Sequence, residues 1–106
     1  MDKHQRMIEL LGQVEKLKDQ FNNESDSMLK GMRQKEVSKD GWSRYRDSQR
    51  FYSNARKELN SAHNDCLAGV KKPTISKIKK IEARLQVFDE TWQLARHHSM
   101  IGILHK

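Results

Sequence analysis

Residues that interrupt helices or cross-link chains are scarce in this sequence. Its 106 residues include one proline, five glycines and one cysteine. A lone cysteine forms no internal disulfide, which excludes a disulfide-held secreted fold and favours a reducing compartment. No run approaches the ~20 apolar residues that a membrane helix requires, and the first residues lack the apolar segment of a signal peptide. We therefore expect a soluble, cytoplasmic protein. Contact with a membrane surface is disfavoured as well, because no predicted helix pairs its basic face with bulky aromatic residues that could insert.

Apolar residues are also few. They make up 35% of the chain, and charged residues make up 33%, which leaves little apolar surface for a thick core. Amphipathic helices suit this balance, because each helix buries one stripe and leaves its other faces in water. The length corresponds to one domain, residues 1–106. We expect this domain to be all-α.

Three segments place apolar residues three or four positions apart, the spacing of a helix with one buried stripe. The predicted helices cover residues 3–35, 42–68 and 75–98. The buried stripes are predicted at Met7, Leu10, Val14, Leu17 and Phe21, then at Ser48, Tyr52, Ala55, Leu59, Ala62 and Cys66, and finally at Ile78, Ile81, Leu85, Phe88, Trp92 and Ala95. The first stripe slips at Glu24, which suggests a break within 22–27. Gly69 is suited to end the second helix, and Pro73 with Thr74 to separate it from the third.

The net charge of +7 is unevenly distributed. Residues 1–36 contain seven basic and seven acidic side chains, whereas residues 37–106 contain fourteen basic and seven acidic ones. A basic excess favours an anionic partner: a nucleic acid, a membrane surface or an acidic protein. We expect the second and third helices to face that partner.

One face of the second predicted helix collects basic and hydrogen-bonding side chains. On a wheel of about 100° per residue they lie within about 80° of one another, opposite the apolar stripe. This basic stripe consists of Arg46, Arg50, Ser53, Lys57, Asn60 and Asn64. Asp47, Glu58 and Asp65 fall on a separate flank, so no carboxylate is expected within it. Arg and Lys bring charge to phosphates, and Ser and Asn bond phosphate or ribose oxygens. The stripe is thus suited to a duplex backbone, read by shape.

A second basic cluster follows the second helix. It consists of Lys71, Lys72, Lys77, Lys79, Lys80 and Arg84, with Glu82 as the one acidic residue among them. On charge alone, Lys77 and Lys80 become further candidates for contact with nucleic acid.

Signatures of catalysis are missing. The sequence contains no phosphate-cradling glycine loop, catalytic triad or zinc spacing. We therefore predict a protein that is not an enzyme and has no catalytic residue, metal site or cofactor. His63 and Cys66 lie three positions apart without further ligands, so we interpret them as packing residues. The aromatic residues of segment 42–52 could stack on single-stranded bases, although such residues belong more often to a core or an interface.

Two segments carry a family resemblance. Residues 7–17 read MIELLGQVEKL, residues 62–67 read AHNDCL, and Lys72-Pro73 follows. These segments, and the order of long helix, long helix, Lys-Pro and third helix, resemble the RNA-silencing suppressors of insect nodaviruses. The similarity covers roughly residues 5–82. The chain departs from the family by extra residues at 69–71 and by a longer, more apolar third helix.

The resemblance implies an antiparallel homodimer, in which the first two helices of both copies form an elongated four-helix bundle. It implies sequence-independent binding to double-stranded RNA, which shields viral RNA and small interfering duplexes in the host cytoplasm and so suppresses RNA silencing. A host silencing protein is a further candidate partner. The positions that match the family's RNA contacts are Arg46, Arg50, Ser53, Lys57 and Asn60.

The same three-helix pattern suits a second class of protein. A three-helix bundle of the spectrin-repeat type would act as a structural or adaptor module and offer a helical face to another protein. Oligomeric state together with RNA binding separates the two hypotheses.

Overall fold

The computed structural model describes the backbone of residues 2–33 and 39–104, and the side chains of residues 2–27 and 46–98. All the regular secondary structure in this part of the chain is helical. The helices are α1 (Lys3–Arg33), α2 (Lys39–Lys71) and α3 (Ile75–Leu104). The predicted all-α fold of three long helices is confirmed.

The three helices form an up-down-up bundle. At one end, the side chain of Met7 in α1 covers Gly69 near the end of α2. Towards the other end, Glu24 of α1 accepts hydrogen bonds from Tyr52 of α2 and Trp92 of α3. The middle helix is therefore antiparallel to both of its neighbours. The bundle is a rod of 52 × 19 × 17 Å, so each helix presents a long outer face.

Each helix buries most of the stripe that its spacing predicts, and the predicted residues Leu17 and Tyr52 are partly buried against it. The buried apolar residues are Met7, Leu10, Val14 and Phe21 of α1, Ala55, Leu59, Ala62 and Cys66 of α2, and Ile78, Ile81, Leu85, Phe88, Trp92 and Ala95 of α3. The ring of Phe21 joins the helices, because its centroid lies 5.6–5.8 Å from those of Tyr52, Phe88 and Trp92. In the single chain, α3 thus fills the groove between α1 and α2.

The predicted end of the second helix is wrong. Gly69 does not end α2, which continues to Lys71. A Cβ atom on Gly69 would lie 2.5 Å from Cε and 2.8 Å from Sδ of Met7, so the glycine is explained by the close approach of α1. For the third helix, the sequence predicts residues 75–98 and an apolar tail that either extends the helix or docks on a neighbour; α3 extends to Leu104.

The start of α2 also differs from the prediction, since the helix begins at Lys39 and not at residue 42. The backbone of Asp40 therefore lies within the helix, one residue after its start. Ser38, the other predicted cap, falls outside the described residues.

The turn between α2 and α3 is the one that the sequence predicts. The backbone N–H of Lys77 donates to Oγ1 of Thr74 at 3.1 Å, which makes Thr74 the N-cap of α3. Pro73 precedes it and cannot continue α2. Two long helices are thereby joined by a short, defined connection.

The predicted break at residues 22–27 is absent, because α1 is continuous from Lys3 to Arg33. Glu24 lies three positions after Phe21, where the next residue of the buried stripe falls. Its carboxylate is held there by Tyr52 Oη at 3.3 Å, by Nε1 of Trp92 and by Nε of Arg96 at 2.8 and 3.0 Å. The slip in the apolar pattern is therefore a polar core contact inside an intact helix.

Among the described residues, no helix has both the length and the apolar character needed to cross a bilayer.

Candidate nucleic-acid interface

The basic stripe lies on the outer face of α2. All six of its side chains, those of Arg46, Arg50, Ser53, Lys57, Asn60 and Asn64, are exposed. The opposite face of the same helix carries Ala55, Leu59 and Ala62, which are buried in the core. The predicted segregation of a wet basic face from a dry apolar face is confirmed.

The middle of the stripe is free of competing contacts. Among the described side chains, Ser53, Lys57, Asn60 and Asn64 make no hydrogen bond or ion pair with one another or with neighbours. Their polar groups face solvent, where a ligand would replace water and no internal contact would need to break. This availability is what a backbone-binding surface requires.

One carboxylate does reach the stripe. Asp47 Oδ1 lies 3.6 Å from Nη2 of Arg50, so the expectation that acidic residues stay clear of the stripe fails at this point. The spacing of three residues explains the contact, since such residues are neighbours on a helix surface. Arg50 remains 67% exposed, and its guanidinium also lies 5.5 Å from the ring centroid of Phe51.

The stripe is longer than the sequence suggested. Because α2 continues through Gly69, Lys71 becomes its last residue. Lys71 lies seven positions after Asn64, which places it close to the same line on the wheel, and its side chain is exposed. From Arg46 to Lys71 the line is about 37 Å long at 1.5 Å per residue. The sequence alone predicts Lys71 in the connection between the second and third helices, because Gly69 resembles a helix end.

An acidic flank runs beside the stripe and faces α3. Glu58 follows Lys57 and Asp65 follows Asn64, so each carboxylate lies one residue further around the helix. Both are bound by Arg84 of α3: Nη1 lies 3.5 Å from Glu58 Oε2, and Nε lies 3.0 Å from Asp65 Oδ2. Both carboxylates of this acidic flank are therefore paired with a cation of the neighbouring helix α3.

Lys77 and Lys80 lie on α3, beyond the acidic flank. The ammonium of Lys77 donates to the backbone carbonyl of Lys72 at 2.8 Å, so this side chain helps to close the α2–α3 turn. Lys80 is exposed and lines a shallow groove with Asp65, Ala68 and Lys77. The structure brings both lysines to one end of the rod, but it does not place them on the basic stripe.

The interpretation of His63 and Cys66 as packing residues agrees with their surroundings. Cys66 is buried in the core, where burial, followed by the nearby charges of Asp65 and Glu15, raises the pKa of the thiol to about 11. His63 lies between helices, with Nδ1 3.2 Å from Lys18 Nζ and Nε2 3.8 Å from Glu15 Oε1. Over the part of the chain that the structure describes, no group of three metal-binding side chains is found.

The aromatic residues of segment 42–52 divide into two groups. Phe51 stacks on His98 with 5.1 Å between the ring centroids, and Tyr52 packs on Phe21, so both belong to helix contacts. The side chains of Trp42 and Tyr45 lie outside the described residues.

Comparisons with known proteins add no family to this picture. No family model matches the chain, and searches of curated proteins and of solved structures found no significant similarity.

Proposed function

We propose that this protein binds double-stranded RNA without sequence preference, through the outer face of α2. The observation that carries the proposal is the exposed line from Arg46 to Lys71, which lies opposite the core. It offers four cations and several neutral hydrogen-bonding groups over about 37 Å. A single straight helix can present such a line because the other two helices lie behind it.

The chemistry of the line favours the backbone over the bases. Lys57 and Arg50 supply charge, while Ser53 and Asn60 can bond phosphate or ribose oxygens. The described part of the line carries no aromatic platform for unpaired bases, since Phe51 and Tyr52 pack within the bundle. Double-stranded RNA is recognised largely by shape and by phosphate and 2′-hydroxyl contacts, which is what these side chains offer.

The proposed role follows from such binding. A protein that covers duplex RNA would shield viral RNA and small interfering duplexes in the host cytoplasm, and would thereby suppress RNA silencing. The resemblance to nodavirus suppressors supports this role. Competition with a host silencing protein for the same duplex is part of the proposal.

The proposed homodimer has to accommodate α3. The apolar stripe of α1 is already covered by α3 in one chain, as the contacts of Phe21 with Phe88 and Trp92 show. A four-helix bundle made from the α1–α2 hairpins of two copies would require α3 to leave this groove. A dimer of intact bundles would keep α3 in this groove and would bind RNA only if its interface left the outer face of α2 exposed.

The adaptor alternative is favoured by one observation, the core that all three helices share within a single chain. A shared core of this kind is what a monomeric spectrin-type module would have. An adaptor of this kind would bind a protein partner and would ignore RNA duplexes.

A gel shift tests the proposal, with a 25-base-pair RNA duplex, the DNA duplex of the same sequence and the separate RNA strands as probes. We expect the RNA duplex to be bound most tightly, and unrelated RNA sequences to be bound equally. Light scattering measures the oligomeric state of the same sample. A monomer that shifts none of the probes would contradict the proposal and support the adaptor.

A further inference from the structure

We infer that Arg84 of α3 is a positioning residue for the RNA-binding face, which it serves by neutralising the acidic flank of α2. This inference rests on the proposed function. Arg84 is one-third exposed and joins two carboxylates, Glu58 at 3.5 Å and Asp65 at 3.0 Å. No other residue of α3 forms an ion pair with α2 in the described part of the chain.

The two carboxylates lie close enough to the basic stripe to repel a phosphate that is bound there. Glu58 and Asp65 each lie about 100° around α2 from the stripe residue that precedes them. On a helix whose diameter with side chains is about 10–12 Å, that angle corresponds to roughly 8 Å between side-chain ends. A phosphate bound at Lys57 would therefore lie within one Debye length of Glu58 at ordinary salt.

Arg84 reaches this flank from the neighbouring helix. Its Nη1 lies 3.5 Å from the carboxylate of Glu58 and its Nε lies 3.0 Å from that of Asp65. Nε of Arg84 and Oδ2 of Asp65 make no hydrogen bond, so Arg84 acts on this flank through its charge. Because the two carboxylates are seven residues apart on α2, one cation placed between them lowers the negative potential along two turns. The electrostatic potential at the stripe thus depends on α3, although no ion pair joins a described stripe residue to that helix.

The size of the effect follows from Coulomb's law. A unit charge about 8 Å away in water changes an interaction about twofold before screening. Arg84 brings one positive charge to two carboxylates, so its loss leaves the flank one charge more negative. We therefore expect Arg84→Met to weaken duplex binding about twofold at low salt. The salt dependence of the affinity should stay close to that of the unaltered protein, because no phosphate contact is lost.

The chain contains a matched control on the other side of the bundle. Arg6 of α1 also joins two carboxylates, Glu9 at 3.5 Å and Glu82 of α3 at 3.6 Å, and it is 29% exposed. Arg6→Met removes the same charge and the same number of ion pairs from the α1–α3 groove. We expect this variant to bind RNA within about 1.5-fold of the original protein, since its two carboxylates lie on α1 and α3 and neither flanks the stripe on α2.

Rescue separates neutralisation from a structural role. Adding Glu58→Gln and Asp65→Asn to Arg84→Met should restore affinity, whereas the equivalent triple change at Arg6, Glu9 and Glu82 should leave it unchanged. Glu58→Gln with Asp65→Asn alone keeps Arg84 and should bind RNA at least as tightly as the original protein. Circular dichroism of every variant verifies the fold.

Three results would overturn the inference. The first is undiminished affinity of a folded Arg84→Met variant, and the second is an equal loss in the Arg6→Met control. The third is a loss that the added Glu58 and Asp65 changes do not rescue, with a salt slope lowered by about one, which would make Arg84 a direct phosphate contact.

Elution from heparin–agarose distinguishes a failure of this inference from a failure of the proposed function. If the unaltered protein binds no RNA duplex, the proposed function is wrong. The heparin column still compares the variants as polyanion binders in that case. If Arg84 neutralises the flank, Arg84→Met should elute at lower salt than Arg6→Met. Adding Glu58→Gln and Asp65→Asn to Arg84→Met should return elution to the salt concentration of the unaltered protein. Equal elution of the two single variants would contradict the inference.

Discussion

Glu24 of α1 is a polar residue whose carboxylate contacts both other helices. Its carboxylate is 28% exposed and accepts hydrogen bonds from Tyr52, Trp92 and Arg96. Glu24→Gln keeps the shape but removes the charge, and it turns one acceptor into an amide donor that faces other donors. Hydrogen bonds to charged groups contribute about 1.5–3 kcal/mol each. Because Arg96 is partly exposed and can regain water, we expect a net loss of about 2–3 kcal/mol.

Urea unfolding followed by circular dichroism at 222 nm measures this change. In a thermal scan the same loss should lower the Tm by roughly 10–20 °C for a domain of this size. Glu15→Gln is the matched control on the same helix, because Glu15 is 58% exposed and has one contact, 3.8 Å from His63. Exposed pairs of this kind contribute about 0–1 kcal/mol. If Glu24→Gln costs no more than Glu15→Gln, the carboxylate does not hold the bundle together and the reasoning fails.

Three further predictions concern the helices. Gly12→Ala should raise the free energy of unfolding by about 1 kcal/mol, since nothing lies within 4 Å of its Cβ position. Gly69→Ala should give no such increase, because Met7 occupies the space that the new Cβ would need. Equal increases of the two variants in urea unfolding would contradict this prediction. Thr74→Ala should cost about 1 kcal/mol through loss of the α3 N-cap, and unchanged stability in the same assay would refute the cap. Burial raises the pKa of the Cys66 thiol from 9.0 to about 11. The folded state therefore keeps a proton that the unfolded chain releases, so stability should be complete below pH 9 and fall between pH 9 and 11. Rapid reaction of that thiol with Ellman's reagent at pH 8 without denaturant would argue against its burial.

The sequence predicts the core and the stripe because both repeat with the period of the helix. Spacing alone identifies Phe21, Leu59 and Phe88 as buried, and it identifies Lys57 as exposed, without knowledge of which helix lies beside which. Each of these four assignments requires only the periodicity of the helix that contains the residue. The structure agrees with all four.

Three misread residues share a different cause, since the role of each depends on a residue distant in sequence. Gly69 resembles a helix end until Met7, more than sixty residues away, is placed against it. Glu24 resembles a break until Trp92 and Arg96 provide its hydrogen bonds. Arg84 resembles one more member of a basic cluster until Glu58 and Asp65 are found beside it.

The outer face of α2 is the surface that we propose to bind the backbone of duplex RNA. The most direct test of this proposal is the salt dependence of RNA-duplex affinity, measured by fluorescence anisotropy for the unaltered protein and for Arg50→Ala with Lys57→Ala. Lys3→Ala with Lys16→Ala is the matched control, because both lysines are exposed on α1 and the net charge changes equally.

We predict that the α2 double variant binds weakly and that its slope of log affinity against log salt is lower by roughly two, since each phosphate contact contributes close to one. The α1 control should keep the slope of the unaltered protein. Equal affinities and equal slopes in the two double variants would contradict the account.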